Sequence, residues 1–137
     1  MPKAIKGFTL IEIILVIIIV AALMSLALPK FFSLIEYSRG KEALQSMGDI
    51  HQAVEHCRHF TNGTYVGCDL SHLDIENPAN STGSHFSYSI TVADADNYTL
   101  KATRNTFDNG DGTSTILFTQ TASDITKSGT SVFAALK

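Results

Sequence analysis

The stretch Gly7-Phe8-Thr9-Leu10-Ile11-Glu12 opens the apolar run that decides how this chain folds. The run continues from Phe8 to Leu28, and its only charged residue is Glu12. As a helix it is about 32 Å long, close to the roughly 30 Å hydrocarbon core of a bilayer. Lys3 and Lys6 precede it, so we expect a single membrane span with its amino end in the cytoplasm.

The position of a small residue before the apolar run indicates how the chain is processed. A secretory signal peptide is cut after its apolar run, whereas Gly7 lies in front of this one. The segment resembles the leader and amino-terminal helix of type IV pilins and type II secretion pseudopilins. Gly7, Phe8, Glu12 and Pro29 carry the resemblance, which covers about residues 1–35. It implies that a prepilin peptidase cuts between Gly7 and Phe8, and that Phe8 becomes N-methylated.

Glu12 is the residue of the span that most needs an explanation. A carboxylate at the centre of a membrane helix costs about 2.5–3.5 kcal/mol on insertion scales, and less near an end. One interpretation is a charge near the helix start that reaches the lipid headgroups. The other, which the resemblance implies, is an ion pair with the freed amino group of Phe8 on a neighbouring subunit. Such a pair would set the axial register between two helices.

Composition limits the remaining classes of function. The 137 residues include 10 Lys and Arg against 13 Asp and Glu, a net charge of −3. A mildly acidic chain does not favour nonspecific binding to nucleic acid, which depends on Lys and Arg at phosphates. We therefore expect no nucleic-acid partner. The sequence contains no catalytic motif, so we expect a protein that is not an enzyme and needs no cofactor, apart from the calcium alternative below.

The periodicity of the chain predicts an α+β pilin fold, in which a long amino-terminal helix packs on a small antiparallel sheet. Apolar residues after Pro29 recur at steps of three or four, which is typical of an amphipathic helix. They are Leu44, Met47, Ile50, Val54 and Cys57. Pro29 is expected to kink or loosen the helix. The predicted segments are a leader (1–7), a membrane or filament-core helix (8–29), an amphipathic helix (30–60), a connecting αβ-loop (61–84) and the sheet with a carboxy-terminal tail (85–137).

Alternating apolar and polar residues predict the strands of the sheet. Phe86, Tyr88, Ile90 and Val92 alternate with hydroxyl residues, and the pattern returns at Tyr98-Thr99-Leu100-Lys101-Ala102. With a third strand from Thr113 to Gln120, residues 86–120 are interpreted as a three-stranded meander. Residues 121–137 are expected to form a last strand or a packed tail.

Two cysteines lie eleven positions apart, Cys57 near the end of the predicted helix and Cys68 in the following loop. In a chain exported beyond the membrane this pair favours a disulfide. The alternative is a metal site that uses Cys68 with three nearby histidines, His56, His59 and His72. Their spacings do not match a common zinc template.

The run Asp108-Asn109-Gly110-Asp111-Gly112-Thr113 offers several oxygen donors within a glycine-containing loop. Calcium requires hard oxygen ligands of this kind, and Asp108, Asn109 and Asp111 would supply them. The run lacks the distal glutamate of an EF-hand loop. The alternative is an ordinary hairpin turn, because Asn-Gly and Asp-Gly are its preferred residues.

Three functional hypotheses follow. The first is a pilin that polymerises with identical or related subunits into a helical type IV pilus filament, after prepilin peptidase has processed it in the bacterial inner membrane. The second is a type II secretion pseudopilin that forms a periplasmic pseudopilus with the same amino terminus. The third is a monomeric membrane-anchored binding protein, for which neither Glu12 nor leader cleavage is needed.

Overall fold

The computed structural model describes residues 7–136, and the leader positions before Gly7 lie outside this range. One long helix, α1 (Leu10–Phe60), is followed by four strands. They are β1 (Phe86–Val92), β2 (Tyr98–Arg104), β3 (Thr115–Gln120) and β4 (Ile125–Gly129). Short 3-10 turns lie at Pro78–Asn80, Phe107–Asn109 and Ser131–Ala135. The α+β prediction of one long helix and a small antiparallel sheet is confirmed.

Helix α1 belongs to two compact units, one ending at Ile35 and the other, which we call the head, beginning at Glu36. In the first unit, helix α1 continues through Pro29, and the kink or loosening expected there stays a prediction. Its apolar side chains from Phe8 to Leu34 are exposed. This is the helix of the described residues that is long and apolar enough to cross a membrane.

The head has a hydrophobic core between the second part of α1 and one face of the sheet. The predicted stripe supplies Met47, Ile50 and Val54, while Leu44 and Cys57 lie only partly buried at its margin. Gly40 and Ala43 are also buried in the head. From the sheet and the tail the core receives the side chains of Phe86, Tyr98, Leu100, Ala102, Ile116, Phe118, Phe133 and Leu136.

Gly40 is unfavourable for helix formation, but it is needed for packing. A Cβ atom added there would lie 2.6 Å from side-chain atoms of both Phe133 and Leu136. The absence of a side chain therefore lets the carboxy-terminal turn pack directly on the helix. The usual cost of a helical glycine, up to about 1 kcal/mol relative to alanine, is offset by this contact.

The sheet has four antiparallel strands in the order β1-β2-β3-β4, so the predicted meander of residues 86–120 is confirmed, and β4 is the expected last strand. Strand β4 lies at the edge, and its side chains are nearly all exposed, so burial imposes no alternation on its sequence. The tail after it forms the 3-10 turn that buries Phe133. Strand β3 begins at Thr115 rather than Thr113, because Thr113 and Ser114 remain in the β2–β3 loop.

Candidate functional site

The predicted assembly residues lie at the start of α1 and within it. Gly7 and Phe8 precede the helix, and the Phe8 side chain is 78% exposed. Glu12 lies in the first helical turn, and Pro29 lies inside the helix. An acidic side chain in the first turn is favourably placed relative to the helix dipole. The pairing of Glu12 with the amino group of Phe8 on a neighbouring subunit stays a prediction.

Thr9 accepts local hydrogen bonds at the start of α1, a role that the sequence reasoning missed. Its hydroxyl Oγ1 accepts a hydrogen bond from the backbone N–H of Glu12 at 3.3 Å, and its carbonyl accepts one from Ile13 at 3.3 Å. Thr9 and Glu12 thus have the spacing of a capping box, Ser or Thr followed three residues later by Glu or Gln. That spacing was visible in the sequence, so Glu12 has a candidate local role besides pairing between subunits.

The end of α1 is tied to the loop that follows it. Cys57 and Cys68 form a disulfide with their Cα atoms 5.9 Å apart, so Cys68 is not free to bind a metal with the nearby histidines. Within residues 7–136 no group of three or more His, Cys, Asp or Glu side chains is placed to hold a metal ion. Tyr65 is fully buried beside the bridge and donates a hydrogen bond to Glu55 on the helix.

A buried arginine at the opposite end of the head is the main feature that sequence reasoning missed. Arg104 ends β2 with only 1% of its side chain exposed. Its Nε and Nη2 atoms donate to the two carboxylate oxygens of Glu36, at 2.8 and 3.0 Å. Its Nη1 atom donates to the carbonyls of His85, Asn105 and Phe107 at 3.0–3.1 Å. One side chain therefore joins the helix to the β2–β3 loop.

This pairing lowers the pKa of the Glu36 carboxyl group. The hydrogen bond from Arg104 lowers the pKa of Glu36, partial burial opposes the change, and Arg39 adds a second hydrogen bond that lowers it further. Glu36 and Arg39 lie outside the predicted apolar stripe of the helix. The available signal was Arg104 itself, which continues the inward alternation of Tyr98, Leu100 and Ala102 on β2.

The predicted calcium residues belong to a loop, residues 105–114, that is longer than the tight hairpin considered as the alternative. The Asp108 carboxylate forms an ion pair with Arg39, and Asp108 and Asn109 both adopt positive φ angles. The Asp111 carboxylate accepts hydrogen bonds from the Ser114 hydroxyl and from the N–H groups of Ser114 and Thr113. The Ser114 hydroxyl, followed by these N–H groups, lowers the pKa of Asp111 to about 2.

Both carboxylates of this loop are thus already bound by donors from the protein. This arrangement explains the Asp-rich run as a hydrogen-bonded loop without requiring an ion. Calcium binding by Asp108, Asn109 and Asp111 stays a prediction.

The chain matches the models of two known protein families. A family model described as type IV minor pilin ComP, DNA uptake sequence receptor, matches residues 29–116. A model of the prokaryotic N-terminal methylation motif matches residues 2–28. The chain belongs to the ComP family of type IV minor pilins. No solved structure matches it.

As a member of the ComP family, this minor pilin is a pilin-type structural subunit, which is a non-enzymatic kind of protein. The methylation motif and the apolar helix are consistent with membrane anchoring followed by pilus assembly. The match begins at Pro29 and ends within β3, so it covers the amphipathic part of α1, the αβ-loop and strands β1 and β2 of the minor pilin.

Proposed function

We propose that this minor pilin is incorporated into an extracellular type IV pilus through residues 8–29, and that its head binds DNA for uptake. The match of residues 29–116 to a family described as a DNA uptake sequence receptor carries the proposal. It replaces the expectation, drawn from net charge, that nucleic acid is not a partner. Net charge is an average over the whole chain, whereas DNA contacts only part of a surface.

The amino-terminal unit supports the assembly half of the proposal. The apolar side chains from Phe8 to Leu34 are exposed to solvent in a single chain. Such a surface is stable only in a bilayer or among other apolar helices. A prepilin peptidase would free the amino group of Phe8, and Glu12 of an adjacent subunit would then pair with it. The pseudopilin and the anchored binding protein are the alternatives that the following test separates.

The test uses a naturally transformable strain that carries this gene and a marker-free deletion of it. We expect the deletion to abolish uptake of labelled duplex DNA while surface filaments, built mainly of another pilin, remain visible by electron microscopy. Wild-type protein supplied from a plasmid should restore uptake and be recovered in sheared filaments. Its recovery by mass spectrometry with methylated Phe8 as the first residue would establish processing.

Three results would contradict the proposal. Normal DNA uptake in the deletion strain would remove the receptor role. Loss of protein secretion without loss of uptake would favour the pseudopilin. A protein that is absent from filaments and still begins at Met1 would favour the anchored binding protein.

A further inference from the structure

The register of the sheet brings together a surface of unusual composition on the side that does not face the core. The inward positions of β1, β2 and β3 are apolar, apart from Arg104 and Gln120, and the outward positions form three rows across the strands. The rows are Ser87, Thr103 and Thr115; Ser89, Lys101, Leu117 and Ser128; and Thr91, Thr99, Thr119 and Thr126. We call these eleven side chains the hydroxyl face.

The hydroxyl face is polar and carries no negative charge. Apart from Lys101 and Leu117, all its members are serine or threonine, and none is Asp or Glu. Lys101 is exposed in the middle row, between Ser89 and Leu117, and forms no ion pair within residues 7–136. In a chain of net charge −3, this is a local surface of charge +1 with many hydrogen-bond donors.

The acidic residues nearest the sheet lie in the loops at its two ends, and several are held there by protein donors. At one end Asp94 accepts hydrogen bonds from Asn97, and Asp96 pairs with Arg58. At the other end Asp108 pairs with Arg39, and Asp111 is bound by Ser114. These local partners offset part of the negative charge that would otherwise act on an approaching anion.

We propose that the hydroxyl face contacts the phosphate backbone of duplex DNA, with Lys101 pairing with a phosphate and the surrounding hydroxyls donating hydrogen bonds. The inference rests on the proposed DNA-binding function and specifies which surface carries it. Serine, threonine and lysine side chains are common donors to phosphate oxygens, and such contacts position a duplex without reading its sequence. The face contains no aromatic ring, so it provides no platform on which unpaired bases could stack.

The dimensions of the face suit this ligand. The row from Thr91 to Thr126 crosses all four strands, a distance of about 14 Å at the usual strand spacing. The major groove of B-DNA is about 12 Å wide. Hydroxyls at the two ends of one row can therefore approach the phosphates on the two rims of a groove.

The experiment measures the affinity of the full-length mature protein, in nonionic detergent, for a fluorescent duplex that contains the uptake sequence of the host. Affinity is followed by fluorescence anisotropy as a function of salt concentration. Lys101→Ala should lower the slope of log affinity against log salt by about 0.9, because one phosphate contact is lost. Lys127→Ala is the matched control, since Lys127 lies over the ring of Phe118 on the other side of the sheet. It should leave slope and affinity unchanged.

The hydroxyls are tested by Thr99→Val and Thr119→Val, which keep β-branched side chains on the strands. Each should weaken binding by about 2- to 10-fold, the value of one lost hydrogen bond, without changing the salt slope. Unchanged melting temperatures show that the variants are folded. Wild-type affinity in the Lys101 and Thr variants would overturn the inference while the receptor function stands. So would equal effects of Lys101→Ala and Lys127→Ala. A wild-type protein that binds no duplex would overturn both.

Discussion

The two units of this chain differ in whether their apolar side chains are exposed or buried. The helix up to Ile35 exposes nearly every apolar side chain, whereas the head buries the stripe of α1 against its sheet. Exposed apolar surface costs about 25 cal/mol per Å², so the first unit needs surroundings that remove it from water. The head needs none, because its core, disulfide and buried ion pair all lie within the same chain.

Because the two units differ in this way, effects of a mutation on partner binding can be separated from effects on stability. A change in the amino-terminal unit should alter partners while leaving the head folded. A change in the core of the head should alter folding first and partners only as a consequence.

Glu12→Ala is expected to abolish incorporation of this minor pilin into filaments when it is the only copy, because the charge proposed to pair with Phe8 of a neighbour is lost. Membrane insertion should become easier, since a costly carboxylate is gone. The head should remain folded, with its disulfide formed. The amount of this protein in sheared filaments is compared by immunoblot with that in the membrane fraction, and the disulfide is checked by non-reducing peptide mapping.

Glu12→Gln is the matched control for the capping role of Glu12 at the start of α1. Glutamine keeps the side chain of a capping box and removes only the charge. If charge pairing drives assembly, Glu12→Gln should fail as completely as Glu12→Ala. Normal amounts of the Glu12→Gln protein in sheared filaments, together with loss of the Glu12→Ala protein from them, would show that capping, and not pairing, is the role of this residue.

Arg104→Ala is expected to destabilise the head by about 3–5 kcal/mol, because Glu36 and three carbonyls lose a buried partner. Lys101→Ala is the control on the same strand but the exposed face, and should change the free energy of unfolding by less than about 0.5 kcal/mol. Both are measured by denaturant unfolding of the detergent-solubilised chain, followed by circular dichroism. Equal effects of the two variants would contradict the assigned role of Arg104.

Removal of the disulfide by Cys57→Ser with Cys68→Ser should cost about 3 kcal/mol, the chain-entropy value for a loop of this length. The effect should be confined to the head, where the bridge joins the last turn of α1 to the αβ-loop. Proteolysis should then cut first between residues 61 and 84. A wild-type protein that contains two free thiols when purified without reductant would disprove the bridge.

The stability of the head should decrease in acid, with a contribution from Glu36. Because the pKa of Glu36 in the folded state lies below its ordinary value of 4.5, its stabilisation is fully present above that value. It is lost as the pH falls through the folded pKa. Glu36→Gln should therefore show a flatter profile of unfolding free energy between neutral pH and pH 3. Identical profiles for the two proteins would show that the ion pair contributes nothing.

Chelation of calcium is expected to have the smallest effect. Asp108 and Asp111 already bind Arg39 and Ser114, so EDTA should leave the melting temperature of the full chain unchanged. A decrease with EDTA that calcium reverses, and that Asp108→Ala with Asp111→Ala removes, would establish the calcium site instead. The same variant in the absence of both reagents controls for the loss of the two protein contacts.

Local patterns were sufficient to predict much of this minor pilin. The apolar run from Phe8 to Leu28 predicts a helix long and apolar enough to cross a membrane, because hydropathy over one helix needs no knowledge of the rest of the fold. The alternation in β1 and β2 predicts two strands for the same reason, since one buried face forces period two. The spacing of Thr9 and Glu12 is likewise a local pattern, and it indicates the capping box at the start of α1.

Only the tertiary structure decided the features that depend on contacts distant in sequence. Arg104 is separated from Glu36 by 68 residues, and Gly40 accepts Phe133 and Leu136 from the far end of the chain. Strand β4 has no alternation to detect, because its position at the sheet edge leaves it exposed on both faces. The hydroxyl face exists because the register aligns outward residues of four strands. Period two determines which residues point outward along each strand, but only pairing between strands determines which of them become neighbours.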